Sequence, residues 1–137
     1  MADANRWFLE HHDHLRDLGI ELEAQEEGYV RLSLPFDESL ANPGTGVMQG
    51  GVVATLIDHA GGAAIRTTLD APRETPHAST ELNVSYVQPA TGDLTAEATV
   101  VRVGGTMGVV EVEVTTDTEE GEETVAVGRV SLHLDRS

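Results

Sequence analysis

The chain has 137 residues, 24 acidic side chains against 8 basic ones and a formal net charge of −16, a length that allows one core and a balance that speaks against a nucleic-acid partner. It has no cysteine, which removes disulfides, thiol nucleophiles and thiolate metal sites. All eight basic residues are arginine, a composition read as adaptation to high salt, where ions screen the chain's self-repulsion.

No apolar run approaches the roughly 20 residues of a membrane span, and the start, Met1 to Trp7, lacks the basic-then-apolar pattern of a signal peptide. One domain over residues 1–137 in the cytoplasm is the expectation. Between Asp3 and Leu18, Trp7, Phe8, Leu15 and Leu18 share one side of a predicted amphipathic helix. Ile20, Leu22 and Ala24, then Val30, Leu32 and Leu34, alternate with polar residues and predict two short antiparallel strands around a turn at Gly28. A loop from Pro35 to Gln49 leads into an almost continuously apolar run, Val52 to Ile65, long enough for a buried helix that ends before Asp70.

Everything after Pro76 reads as strand. Leu82, Val84 and Tyr86 form one alternation, closed by Pro89; Leu94 to Val100 form the next, and Gly104 and Gly105 turn the chain into Val110, Val112 and Val114. In the last strand Val125 and Val127 share one phase while Val130, Leu132 and Leu134 share the other, which predicts a bulge at Gly128 or Arg129. The fold class that follows is α+β, with one long helix resting on one face of a curved antiparallel sheet.

Asp58 is the single carboxylate of that apolar helix. Burial without a partner costs a carboxylate several kcal/mol, so such an acid is expected to have a hydrogen-bonding partner, a ligand or a catalytic task. At the helix start Gly50 and Gly51 offer unpaired N–H groups at a positive dipole end, suited to negative charge developing on a substrate oxygen. Packing against the sheet is the other reading of the two glycines. His11, His12 and His14 cluster without proper ligand spacing and read as a surface helix, so no metal is expected.

Asn42, the segment Gln49-Gly50-Gly51, Asp58, and the strand Ser79-Thr80-Glu81-Leu82-Asn83-Val84-Ser85-Tyr86 together resemble the hotdog-fold thioesterases of the phenylacetate-degradation type. The resemblance spans nearly the whole chain. Gln49 stands where that family most often has histidine, and glutamine donates a hydrogen bond but does not titrate. The resemblance implies a hotdog fold, in which an antiparallel sheet wraps one central helix. It also implies hydrolysis of an acyl or aroyl coenzyme A thioester without a cofactor, and a homodimer or homotetramer with the site between subunits. The Gly50 N–H would be the oxyanion donor and Asp58 the base or the nucleophile. Ser79, or its neighbour Thr80, would hold water near Asp58, while Asn42 and Gln49 would bind the thioester region or orient Asp58. Arg66, Arg73, Arg102 and Arg129 are candidates for the coenzyme A phosphates or for pairing with the chain's own acids. A hotdog enoyl thioester hydratase, which needs an aspartate with a histidine, and a non-catalytic acyl coenzyme A binding module remain as alternatives.

Overall fold

The computed structural model describes residues 3–136. Two short helices, α1 (Ala4–His11) and α2 (Asp13–Leu18), precede strands β1 (Glu21–Glu26) and β2 (Tyr29–Leu34); a 3₁₀ turn at Glu38–Leu40 leads to the long helix α3 (Gly50–Arg66). Strands β3 (His77–Tyr86), β4 (Leu94–Val103), β5 (Met107–Thr118) and β6 (Gly121–Leu134) complete a six-stranded antiparallel sheet in the order β1-β2-β4-β5-β6-β3. The sheet curls around α3, the hotdog arrangement.

The core lies between the inward sides of β2, β4, β5 and β6 and one face of α3. Val30, Leu32, Leu34, Leu94, Ala96, Val110, Val114 and Val130 meet Val53, Leu56, Ile57 and Ala60, all essentially inaccessible to solvent. Missing side chains set how closely the two layers meet. A Cβ on Gly61 would come within 2.7 Å of Val130, one on Gly108 within 2.5 Å of Ile65 Cδ1, and one on Gly128 within 2.9 Å of Ile57. From His59 to Arg66 every residue of α3 is buried, whereas the first half alternates. The second half is the part that α1 packs against, Phe8 meeting His59 and Arg66.

The structure corrects two sequence expectations. The single helix expected over Asp3–Leu18 is broken at His12, whose backbone is extended and whose ring nitrogen Nδ1 accepts from the Leu15 N–H, starting a second helix. Hydrophobic periodicity runs through the break and so does not reveal it. The bulge of β6 falls at Val125, between the pairs Val114–Ala126 and Thr115–Thr124; Gly128 and Arg129 are regularly paired. Val127 misleads because it is an apolar residue on the outer, solvent face, 41% exposed. Further irregularities fall between Ser79 and Glu81 and between Val100 and Arg102.

β1 and β3 are the two edges. β3 is unusual for its exposure: despite the alternation of Leu82, Val84 and Tyr86, no residue of the strand is fully buried, and Leu82 and Tyr86 are 41% and 53% exposed.

Candidate active site

The loop before α3 is shaped by backbone pairing. The Asn42 N–H donates to the Val47 carbonyl, Met48 N–H to Ala90 and Gln49 N–H to Leu40, with Gly44 and Gly46 in the left-handed region (φ 75° and 68°) that the tight turn needs. This delivers Gln49 to the N-cap of α3, where its Oε1 accepts from the Val52 N–H at 3.1 Å. The next two donors, the N–H groups of Gly50 and Gly51, have no acceptor among the described residues. A helix start with two open donors is an anion-facing site in the physical sense.

Neither glycine is there only to leave room for a ligand. A Cβ on Gly50 would lie 3.2 Å from the Tyr86 ring and hydroxyl, and one on Gly51 only 2.8 Å from Gln49 Oε1. The chain's own side chains fill that space. Tyr86 donates to the Gly50 carbonyl at 2.6 Å. Sequence alone gives Tyr86 no role of its own; its signals are its place in the alternation closed by Pro89 and in the strand that carries the resemblance.

Asp58 sits two turns along α3 and is half-buried, flanked by buried Ile57 and His59, so it is less enclosed than its apolar neighbourhood suggests. Ser79 donates to its Oδ1 at 2.6 Å. Thr80, the other candidate, instead donates to the Ser131 carbonyl. Asn42 is exposed; together with Gly50, Tyr86, Met48, Ala90 and Val125 it borders a largely apolar cavity of about 440 Å³. Among the sequence candidates, then, Asp58 and Ser79 meet each other, Asn42 and Gly50 share a cavity, and Gln49 is engaged as a cap.

His59 does not join Asp58. It packs against Phe8, and burial, followed by the nearby Arg66 charge, pushes its pKa down to about 3, so the ring is neutral. Its Nε2 is buried without a hydrogen-bond partner among the described residues. This is a structural position, not an acid–base pair with Asp58, and it weakens the hydratase reading.

The four arginines also separate. Arg66 is buried and stacks on Phe8 at 4.3 Å, donates from Nε to Asn5 at 2.7 Å, and meets His77 Nε2 at 2.9 Å. Burial lowers its pKa to about 10, and no carboxylate pairs with it directly among the described residues. Its charge is relayed instead through Asn5 and Gln25 to Asp3. Arg73 covers the Trp7 ring and Arg129 pairs with Glu111, while Arg102 is exposed. In the histidine cluster, His11 stacks on Trp7 and His12 caps α2. Among the described residues no group of three or more histidines and acids has metal-binding geometry.

One helix cradled in a curled antiparallel sheet, with open amides at its start and an acid two turns on, is the architecture of the hotdog class. The model of the thioesterase superfamily matches residues 45–123. A Halobacterium salinarum protein that bears the name "Putative esterase" is 48% identical over 94% of this chain and 89% of its own length. The chain belongs to the thioesterase superfamily. Among solved structures, a thioesterase family protein from Silicibacter pomeroyi superposes with a TM-score of 0.89 at 24% identity, covering 98% of this chain and 97% of that one. The PaaI protein of the Escherichia coli phenylacetic acid degradation operon does so at 0.81 and 21%, covering 97% and 95%. Those two likenesses speak for the fold.

Proposed function

We propose that the chain hydrolyses an acyl or aroyl coenzyme A thioester to the free acid and coenzyme A, without a cofactor. In this reading the open amides of Gly50 and Gly51 receive the carbonyl oxygen as it gains negative charge. Asp58 either activates water, with Ser79 holding that water beside it, or attacks the carbonyl carbon directly. Attack by a carboxylate oxygen would form an anhydride and release the thiolate, and water would then open the anhydride. Asn42, at the rim of the cavity, would hold the thioester region. One oxyanion donor is worth about 2.7 to 4 kcal/mol of transition-state stabilisation.

The observation that carries the reading is the pairing of Asp58 with Ser79 on a helix whose first amides are left open. Geometry adds a condition. Asp58 lies eight residues from Gly50, about 12 Å along the axis at a 1.5 Å rise, whereas reacting groups must come within about 3.5 Å of one carbonyl. Both therefore serve one substrate when Gly50 of one chain faces Asp58 of a second, and the exposed edge strand β3, which carries Ser79, is the surface suited to that pairing. A homodimer, or a tetramer built from it, is part of the proposal.

The test is thiol release from a panel of aroyl and aliphatic coenzyme A thioesters in molar salt, native chain against Asp58→Asn. Release by the native chain and a loss of at least about 10²-fold in the variant is expected. Binding of acyl coenzyme A without release would favour the binding module, and loss of enoyl absorbance without thiol would favour the hydratase.

A further inference from the structure

Tyr86 is the last residue of the exposed edge strand, and more than half of its surface faces solvent. A tyrosine so placed ordinarily leaves its hydroxyl to water. Here the ring lies instead on the first residue of α3, and the hydroxyl reaches the Gly50 carbonyl at 2.6 Å. The direction of the side chain is fixed from behind. At the β6 bulge the Val125 carbonyl accepts from both the Val87 and the Gln88 N–H, at 2.9 and 3.2 Å, pinning the residues that immediately follow Tyr86. Bulges beside functional sites commonly re-aim a neighbouring side chain in this way.

The acceptor matters more than the bond. The Gly50 carbonyl and the Gly51 N–H belong to one peptide plane, so a donor on the oxygen orients and polarises the amide hydrogen on its other side. Gln49 has meanwhile capped the third amide, that of Val52, leaving the first two open. We propose that Tyr86 is a positioning residue for the thioester chemistry: its hydroxyl holds the Gly50–Gly51 peptide in donor geometry, and its ring walls the cavity beside those amides. The proposal rests on the thioesterase reading. It also accounts for glycine at position 50, since a methyl there would press on the ring at 3.2 Å.

The experiment compares the full native chain with Tyr86→Phe, Gly50→Ala and the double variant, reading thiol release together with the amide signals of Gly50 and Gly51 by NMR. Tyr86→Phe keeps the ring and removes one hydrogen bond. Its kcat is expected to fall about 5- to 10-fold with KM within about twofold, and the Gly51 amide to shift and exchange faster with solvent. Gly50→Ala, by displacing the ring, is expected to lower kcat similarly, and the double variant to be no worse than the more damaging single one. An unchanged kcat in Tyr86→Phe, a raised KM alone, or fully additive losses would overturn the positioning role. If the native chain releases no thiol from any thioester, the thioesterase reading falls and the role in that chemistry falls with it. In that case an unmoved Gly51 amide in Tyr86→Phe would show separately that Tyr86 does not hold the helix start.

Discussion

Ser79 and Asp58 join the two layers of the molecule: a hydroxyl on edge strand β3 donates to a carboxylate on α3 at 2.6 Å. Removing the donor tests whether that link matters to the chemistry. Ser79→Ala is expected to reduce kcat about 10- to 100-fold while leaving the unfolding midpoint nearly unchanged, because the bond is solvent-accessible and such bonds contribute little net stability. Ser79→Thr should retain most activity. Steady-state thiol release and thermal unfolding of the same samples provide the check.

Gln49 separates capping from chemistry. Gln49→Ala removes the acceptor for the Val52 N–H and is expected to cost about 1 kcal/mol in urea unfolding. Gln49→Asp restores a strong cap and is expected to be at least as stable as the native chain. It also sets a negative charge beside the open amides, and its thiol release should fall by about tenfold or more through repulsion of the developing oxyanion. A Gln49→Asp variant with native activity would remove Gly50 and Gly51 from the mechanism.

The pH dependence of stability has a defined direction. Buried His59 stays neutral in the folded chain down to about pH 3, against 6.5 for an unperturbed histidine. Between those values the unfolded chain binds the extra proton, so stability that is complete above pH 6.5 declines as pH falls, by up to about 1.4 kcal/mol per unit. His77, held below its usual value by burial despite its hydrogen bond to Thr75, acts in the same direction. His59→Phe, which preserves the packing on Phe8, is expected to flatten the acid limb of a chemical-denaturation series from pH 7 to 4. An unchanged slope would mean that other groups dominate.

Assembly and activity should fail together. Leu82→Glu places a charge on the exposed inner side of β3, where a second chain would pair. Sedimentation is expected to show a shift toward monomer and the thiol assay a parallel loss, since Gly50 and Asp58 of one chain are too far apart to share a carbonyl. A fully active monomer would contradict the composite site.

Salt should stabilise. With 24 acids, 8 arginines and no lysine, raising potassium chloride from 0.1 M to molar concentration is expected to lift the unfolding midpoint by about 5 °C or more. A flat response would count against salt adaptation.

Much of this was readable in the sequence, for physical reasons. Alternation exposed the strands because one sheet face is dry, and the run from Val52 to Ile65 exposed α3 because few other elements stay apolar for so long. Misreadings occurred where the environment, not the residue, decides. The His12 break depends on one ring nitrogen finding the Leu15 amide. Val127 is apolar yet faces outward, which hid the bulge at Val125. Ser79 and Thr80 could not be told apart until an irregularity fixed which one faces the helix. Tyr86 and Gly50 are 36 residues apart, and local pattern does not register such a contact.

Gly61, Gly108 and Gly128 together act as a gauge for the whole molecule. No polar group at these positions touches the candidate chemistry, yet the methyls withheld at Gly61 and Gly128, which would press on Val130 and Ile57, keep α3 close to the sheet from which Ser79 reaches Asp58. A shim of one carbon at Gly61 would lift the helix from β6, and the Ser79–Asp58 hydrogen bond, which spans the same two layers, would lengthen with it. The tolerance of the site is therefore fixed deep in the interlayer seam, by atoms that are not there.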